Sequence, residues 1–230
     1  DLNVFITSEG QVAIYSMSDP SDSETLSLKG VYYVGKPIGD RCLHQIGGEL
    51  VVITYAGVVP LSKVITVDAT RLDIASLTAP IRVDYANAAR DYGANTGWQI
   101  VSYPKNNLLI LNIPTVEDTT SKQYVMNLLT GAWAEWSSIN ALSWVVYNEN
   151  LYFGDTSGVV YKADTGSADD GVAITADMIL TFSQLGARAR QKHILLVRPN
   201  VEANVSSIGS AYPIVDYKSS NLTDLNAGVI

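Results

Sequence analysis

Apolar residues along this chain come in short runs broken by glycine-bearing turns, a pattern of strands and hairpins. One phrase recurs. Leu50-Val51-Val52-Ile53-Thr54-Tyr55-Ala56-Gly57-Val58-Val59 reads as strand, tight turn, strand. So does Leu151-Tyr152-Phe153-Gly154-Asp155-Thr156-Ser157-Gly158-Val159-Val160. A weaker copy, Val4-Phe5-Ile6-Thr7-Ser8-Glu9-Gly10-Gln11-Val12, opens the chain without a leading strand. Gly10, Gly57 and Gly158 are 47 and 101 residues apart. Those gaps are near one and two units of about fifty residues, the kind of period at which β-propeller blades repeat.

The same reasoning predicts strands over 12–15, 26–34, 42–46, 98–103, 108–113, 123–127, 132–136 and 143–147. Residues 67–92 break the pattern. Leu72, Ile74 and Leu77, then Ile81, Tyr85, Ala88 and Ala89, follow a roughly helical spacing. Pro80 divides the segment into two short helices, and Thr78 is the expected cap of the second. Beyond an acidic turn at 164–171, two long strands are expected at 174–183 and 193–198, and another at 213–217. The expected fold is all-β: propeller-like antiparallel meanders over 1–175, about four blades, with a helical insertion at 67–92. Trailing strands over 176–230 form a second, truncated β region. The chain does not begin with Met and opens partway through a repeat, so it reads as a piece of a longer polypeptide.

Composition narrows the function classes. An apolar fraction of 47% and a mean hydropathy of +0.12 describe a chain with a core. No apolar run approaches the roughly 18 residues of a membrane helix, and no secretory signal is visible. Cys42 is the only cysteine, which excludes an intrachain disulfide and a cysteine-built metal site and fits a reducing compartment. A net charge of −8 argues against a surface built to grip nucleic acid. It is compatible with an acidic wall along which DNA slides.

Candidate chemistry is sparse. The two histidines, His44 and His193, have no nucleophile or carboxylate at a telling spacing. Asp164, Asp169 and Asp170 lack the alternating ligands of a calcium loop and read as turn residues. Trp98, Trp133, Trp136 and Trp144 lie in or beside strands, where alternating rings are core. Arg188, Arg190, Lys192 and Arg198, with His193, form the one basic cluster, a candidate contact for a protein partner or for DNA. No catalytic, cofactor-binding or metal-binding residue is expected.

An order of elements carries a resemblance. It runs from the meander with Gly57 to Ala88-Ala89-Arg90-Asp91-Tyr92-Gly93-Ala94-Asn95 closing the helical segment, then Trp98-Gln99, Gln123-Tyr124-Val125-Met126-Asn127-Leu128-Leu129-Thr130-Gly131-Ala132-Trp133 and Leu151-Tyr152-Phe153-Gly154. In this order, over about residues 40–200, the chain resembles the tail-nozzle or head-to-tail connector proteins of short-tailed bacteriophages. The resemblance implies a non-enzymatic virion protein, assembled in the host cytoplasm, bearing a β-propeller and forming a homo-oligomeric ring, commonly a hexamer. Such rings surround the DNA channel, retain packaged DNA and guide its ejection without sequence-specific binding. They dock adaptor or connector proteins and tail fibres or tailspikes, and need no membrane anchor or cofactor. Two rival readings belong to other classes. A carbohydrate-binding, host-receptor propeller requires exposed tryptophans in a pocket, and a propeller glycosidase requires converging carboxylates at the blade centre.

Overall fold

A computed structural model of the chain describes residues 2–16, 26–166, 168–169, 171–174, 183, 186, 196 and 198. The chain divides into two compact units, Asp1–Gly166 and Ser167–Ile230. In the second, the described secondary structure is one small hairpin, β14 (Ala168–Asp169) with β15 (Val172–Ala173). Apart from Ile174, Ser183, Leu196 and Arg198, the strands expected at 174–183, 193–198 and 213–217 lie outside the described residues.

The first unit is mostly β. Each of its four sheets is an antiparallel meander of consecutive strands. The first holds β1 (Leu2–Ile6), β2 (Gln11–Ser16) and β3 (Ser27–Tyr33). The second holds β4 (Leu43–Ile46), β5 (Glu49–Thr54) and β6 (Gly57–Pro60). Four strands make the third: β7 (Gln99–Tyr103), β8 (Leu108–Val116), β9 (Thr120–Asn127) and β10 (Trp133–Trp136). β11 (Ser143–Tyr147), β12 (Asn150–Gly154) and β13 (Val160–Lys162) make the fourth. No closed propeller forms among the described residues.

The sheets stack in chain order, and the two-residue period of a strand explains how. On β5, Val52 points to the first sheet and joins Val12, Ile14 and Val34. Its neighbours Val51 and Ile53 point to the third sheet and join Ile100, Leu109 and Leu111. On β8 the alternation repeats: Ile110 turns away from Leu109 and Leu111 to meet Trp144 and Leu151 of the fourth sheet. Burial on both faces is why β5 and β8 read as continuous apolar runs.

The helical segment starts earlier than its spacing predicts. α1 (Leu61–Thr66) follows β6 directly, because Leu61 and Val64 are buried against the first two sheets. α2 (Leu72–Ala75) adds Leu72 to the same core. Pro80 lies in a 3-10 turn, Ala79–Ile81, ahead of α3 (Arg82–Tyr92). Thr78 does not cap with its side chain. Its hydroxyl instead accepts the Val58 N–H at 3.2 Å, tying the segment to β6. α3 lays Tyr85, Ala88 and Ala89 between the second and third sheets, and the Tyr85 hydroxyl donates to Thr54 O at 2.6 Å.

All three copies of the repeated phrase are hairpins, of two kinds. The first and third share one loop. Thr7 N–H donates to Gln11 O and Gly10 N–H to Thr7 O, just as Asp155 N–H donates to Val159 O and Gly158 N–H to Asp155 O. The opening side chain closes each loop: Thr7 Oγ1 accepts from Gln11 N and Asp155 Oδ1 from Val159 N, both at 3.0 Å. The middle copy is tighter, with Thr54 paired directly to Gly57. Gly57 has φ of 142°, and a Cβ there would sit 2.6 Å from the Ser76 side chain. Only glycine fits both conditions.

Candidate functional site

The most elaborate polar structure is a seam along the first strands of three sheets. β4, β7 and β11 lie side by side, and Arg41 forms a parallel bridge with Gln99. Arg41 Nη1 donates to Gln99 Oε1 at 3.0 Å and Nη2 to Leu142 O at 3.1 Å. The Gln99 amide also meets β11 head-on. Its Nε2 donates to Trp144 O at 2.9 Å and its Oε1 accepts the Trp144 N–H at 3.0 Å. One side chain thus stands in for a strand partner between two sheets.

Gln99 opens a row of amides. Register places Gln99 opposite Asn112, and Asn112 opposite Gln123, straight across β7, β8 and β9. Asn112 and Gln123 are fully buried. Asn112 Oδ1 accepts from Trp144 Nε1 at 3.0 Å and from Gln123 Nε2 at 2.9 Å. Asn112 Nδ2 reaches Gly97 O and Ala141 O, while Gln123 Nε2 and Ser121 Oγ both reach Ile139 O. The row therefore satisfies the irregular backbone leading into the fourth sheet, which buried carbonyls require. Gln123 Oε1 is the one buried side-chain polar atom without a partner among the described residues.

His44 and Ser102 complete the seam. His44 Nε2 lies 3.0 Å from Ser102 Oγ and accepts the Ser102 N–H at 3.1 Å. Spacing alone gave no hint of this pair, since 58 residues separate its members. It is a poor nucleophile–base dyad: the backbone N–H already occupies the lone pair with which Nε2 would take the serine proton. Burial holds the imidazole below its ordinary value. The Cys42 thiol, half-buried, is pushed up mainly by burial, against the thiolate that reactive cysteines need.

Two shallow grooves flank the Tyr55–Ala56 hairpin tip. One, about 530 Å³, is lined by Tyr33, Gly35, Lys36, Tyr55, Ala56 and Leu72. The other, about 340 Å³, has Arg82, Asp73 and Asn87 on its wall. Arg82 pairs with Asp73 at 3.5 Å, so its charge is already met.

The basic cluster of the sequence falls mainly on undescribed ground. Arg188, Arg190, Lys192 and His193 lie outside the described residues, and Arg198 is exposed. Trp98 and Trp144 are buried, and Trp133 and Trp136 half-buried. Three indole N–H groups are spent inside the fold: on Tyr92 O, Leu77 O and Asn112 Oδ1. Asp164 is bonded to Asn106, and no cluster of three metal-ligating side chains exists among the described residues. None of the described helices is long and apolar enough to cross a membrane. Sequence reasoning missed Arg41 and the row Gln99, Asn112 and Gln123. The available signal was Asn112, an amide inside the apolar run of β8; Gln99 opens β7 and Gln123 follows the polar Thr120, Ser121 and Lys122.

Compared with protein-family models and with curated proteins, the chain matches none.

Proposed function

We propose that this chain is the propeller-bearing part of a structural virion protein, a subunit of a phage tail nozzle or connector ring. One observation carries the reading. Four meanders pack face to face in chain order, and the first strands of three of them run side by side. Successive propeller blades have this arrangement, with the first strand of each nearest the axis. On this reading the four sheets are consecutive blades, and the helical segment after β6 occupies the place of the second blade's outer strand.

The chemistry of the seam supports a mechanical role. Its polar groups, Gln123 Oε1 excepted, are spent on one another and on backbone, and the Ser102–His44 pair is blocked as a dyad. The resemblance to tail-nozzle proteins supplies the ring, the DNA channel and the docking of adaptor and fibre proteins. A net charge of −8 suits a channel wall that does not hold DNA. The buried indoles weigh against the carbohydrate-binding alternative, which requires exposed rings.

The test is the native mass of the assembled protein, alone and with the phage connector. A ring-sized mass and a stable complex are expected. A chain that stays monomeric and never associates with a connector overturns the proposal.

A further inference from the structure

We propose that His44 is a proton-operated latch on the seam between the second and third sheets. The inference stands on the geometry of the seam and is independent of what the protein assembles with.

β7 is the edge strand of the third sheet, so beyond the Arg41–Gln99 bridge the N–H groups on its outer side lack a strand partner. β4 runs beside that edge and covers it with side chains. The N–H of Ser102 is one such group, and His44 Nε2 accepts it. Acceptance needs a lone pair on Nε2, so the ring is neutral and carries its proton on Nδ1. A second proton would land on Nε2 and turn the acceptor into a donor. Two donors would then face each other, and the bond from the edge N–H would be lost. Ser102 Oγ, 3.0 Å away, could turn to accept from the protonated ring. The imidazole would keep a partner while the β7 backbone lost one, and the direct tie from β4 to that backbone would open.

No neighbouring charge offsets the switch. β4 itself brings no other ionisable group; just before it in the chain are Cys42, Arg41 and Asp40, and Arg41 is engaged with Gln99 and Leu142. β5 brings only Glu49, whose carboxylate accepts the Ser62 N–H, and β6 brings nothing ionisable. β7 brings Tyr103, which faces the fourth sheet, and β8 brings nothing. In the shared core, α3 contributes Tyr85, bonded to Thr54 O, and its Arg90 and Asp91 pair with each other. β9 contributes Tyr124 and Lys122, the latter paired with Glu135.

The sign follows from burial, which lowers the proton affinity of the folded imidazole. The unfolded chain then binds the proton more tightly. The latch contributes fully above the ordinary imidazole value, about 6.5. That contribution is lost as pH falls through this value to the lower folded one.

Amide hydrogen exchange and imidazole nitrogen shifts of the whole chain, measured by NMR at neutral and mildly acidic pH, test the latch. The expected neutral tautomer carries its proton on Nδ1. Ser102 amide protection should fall about tenfold on acidification, the loss expected when one net hydrogen bond opens. Amides inside the β8–β9 ladder should hold. His44→Gln offers a side-chain oxygen that does not titrate and should remove the pH dependence. Unchanged Ser102 protection in the native chain, a proton on Nε2 at neutral pH, or the same acid response in His44→Gln overturns the proposal.

Discussion

The second and third sheets bury both faces, whereas the first and fourth bury one. The open faces are the instructive ones. An antiparallel sheet with one wet face ordinarily alternates apolar inward with polar outward. Here the outward positions of the first sheet include Phe5 at 58% exposure and Val31 at 58%. Those of the fourth include Val145, Tyr147 at 72% and Val160 at 70%. The end sheets thus carry large apolar side chains on faces that no described residue covers. Apolar faces of this kind are the ones that neighbours cover. Under the proposed reading they are the flanks of blades.

The sharpest test of this contrast is to empty one site in each region. Trp98 is fully buried between the second and third sheets, so Trp98→Ala should cost about 3–5 kcal/mol in urea unfolding. Equal midpoints for variant and parent would break the contrast. Asn112→Ala comes next. It strands the Trp144 indole N–H and takes the side-chain donor from Gly97 O, at a cost of about 2–3 kcal/mol. Near-normal stability would show that water replaces the amide row.

The repeated phrase offers a matched pair. Gly57 and Gly158 both have positive φ, but Gly57 is hemmed in by Ser76 and Thr78 while nothing lies within 4 Å of a Cβ at Gly158. Asn tolerates the left-handed region near the φ of 79° at Gly158, but not the φ of 142° at Gly57. Gly158→Asn should therefore change stability by less than about 1 kcal/mol, and Gly57→Asn by about 2 kcal/mol or more. Parallel thermal melts decide, and similar losses in both would deny the crowding around Gly57. The smallest effect belongs to the open faces. Val160→Ser should move the unfolding free energy by no more than about 0.5 kcal/mol in the isolated chain. A loss of several kcal/mol would mean that its outward face is already packed.

Much of the local structure was legible. Each glycine phrase is a hairpin, and strands expected at 50–54, 108–113 and 143–147 appear within a residue or two of those bounds, β8 running on to Val116. Local turn chemistry explains this: a glycine at positive φ between apolar runs leaves few alternatives. The hairpins' kinds were not legible. The phrase at 50–59 looks like the one at 151–160, yet the latter shares its loop with the weak copy at the start. There the deciding groups were Thr7 and Asp155, whose side chains close the loop, and Thr54 is drawn instead into a two-residue turn. The helical segment was placed too late because Leu61 and Val64 take their meaning from the sheets they cover.

The seam was hidden for a stronger reason. Gln99, Asn112 and Gln123 are separated along the chain and become one row only through strand register. His44 and Ser102 meet only because two sheets pack with their first strands adjacent.

By itself the sequence determined the period of the strands, the hairpin turns, a helical break after the second meander and an acidic, cysteine-poor surface. These follow from short-range sterics, side-chain alternation and composition, which act within a few residues of one another. Tertiary structure alone decided which faces were buried twice, which amide satisfied which carbonyl, and which histidine nitrogen holds a lone pair. Those outcomes depend on register and stacking, where one residue of slip moves every side chain to the opposite face.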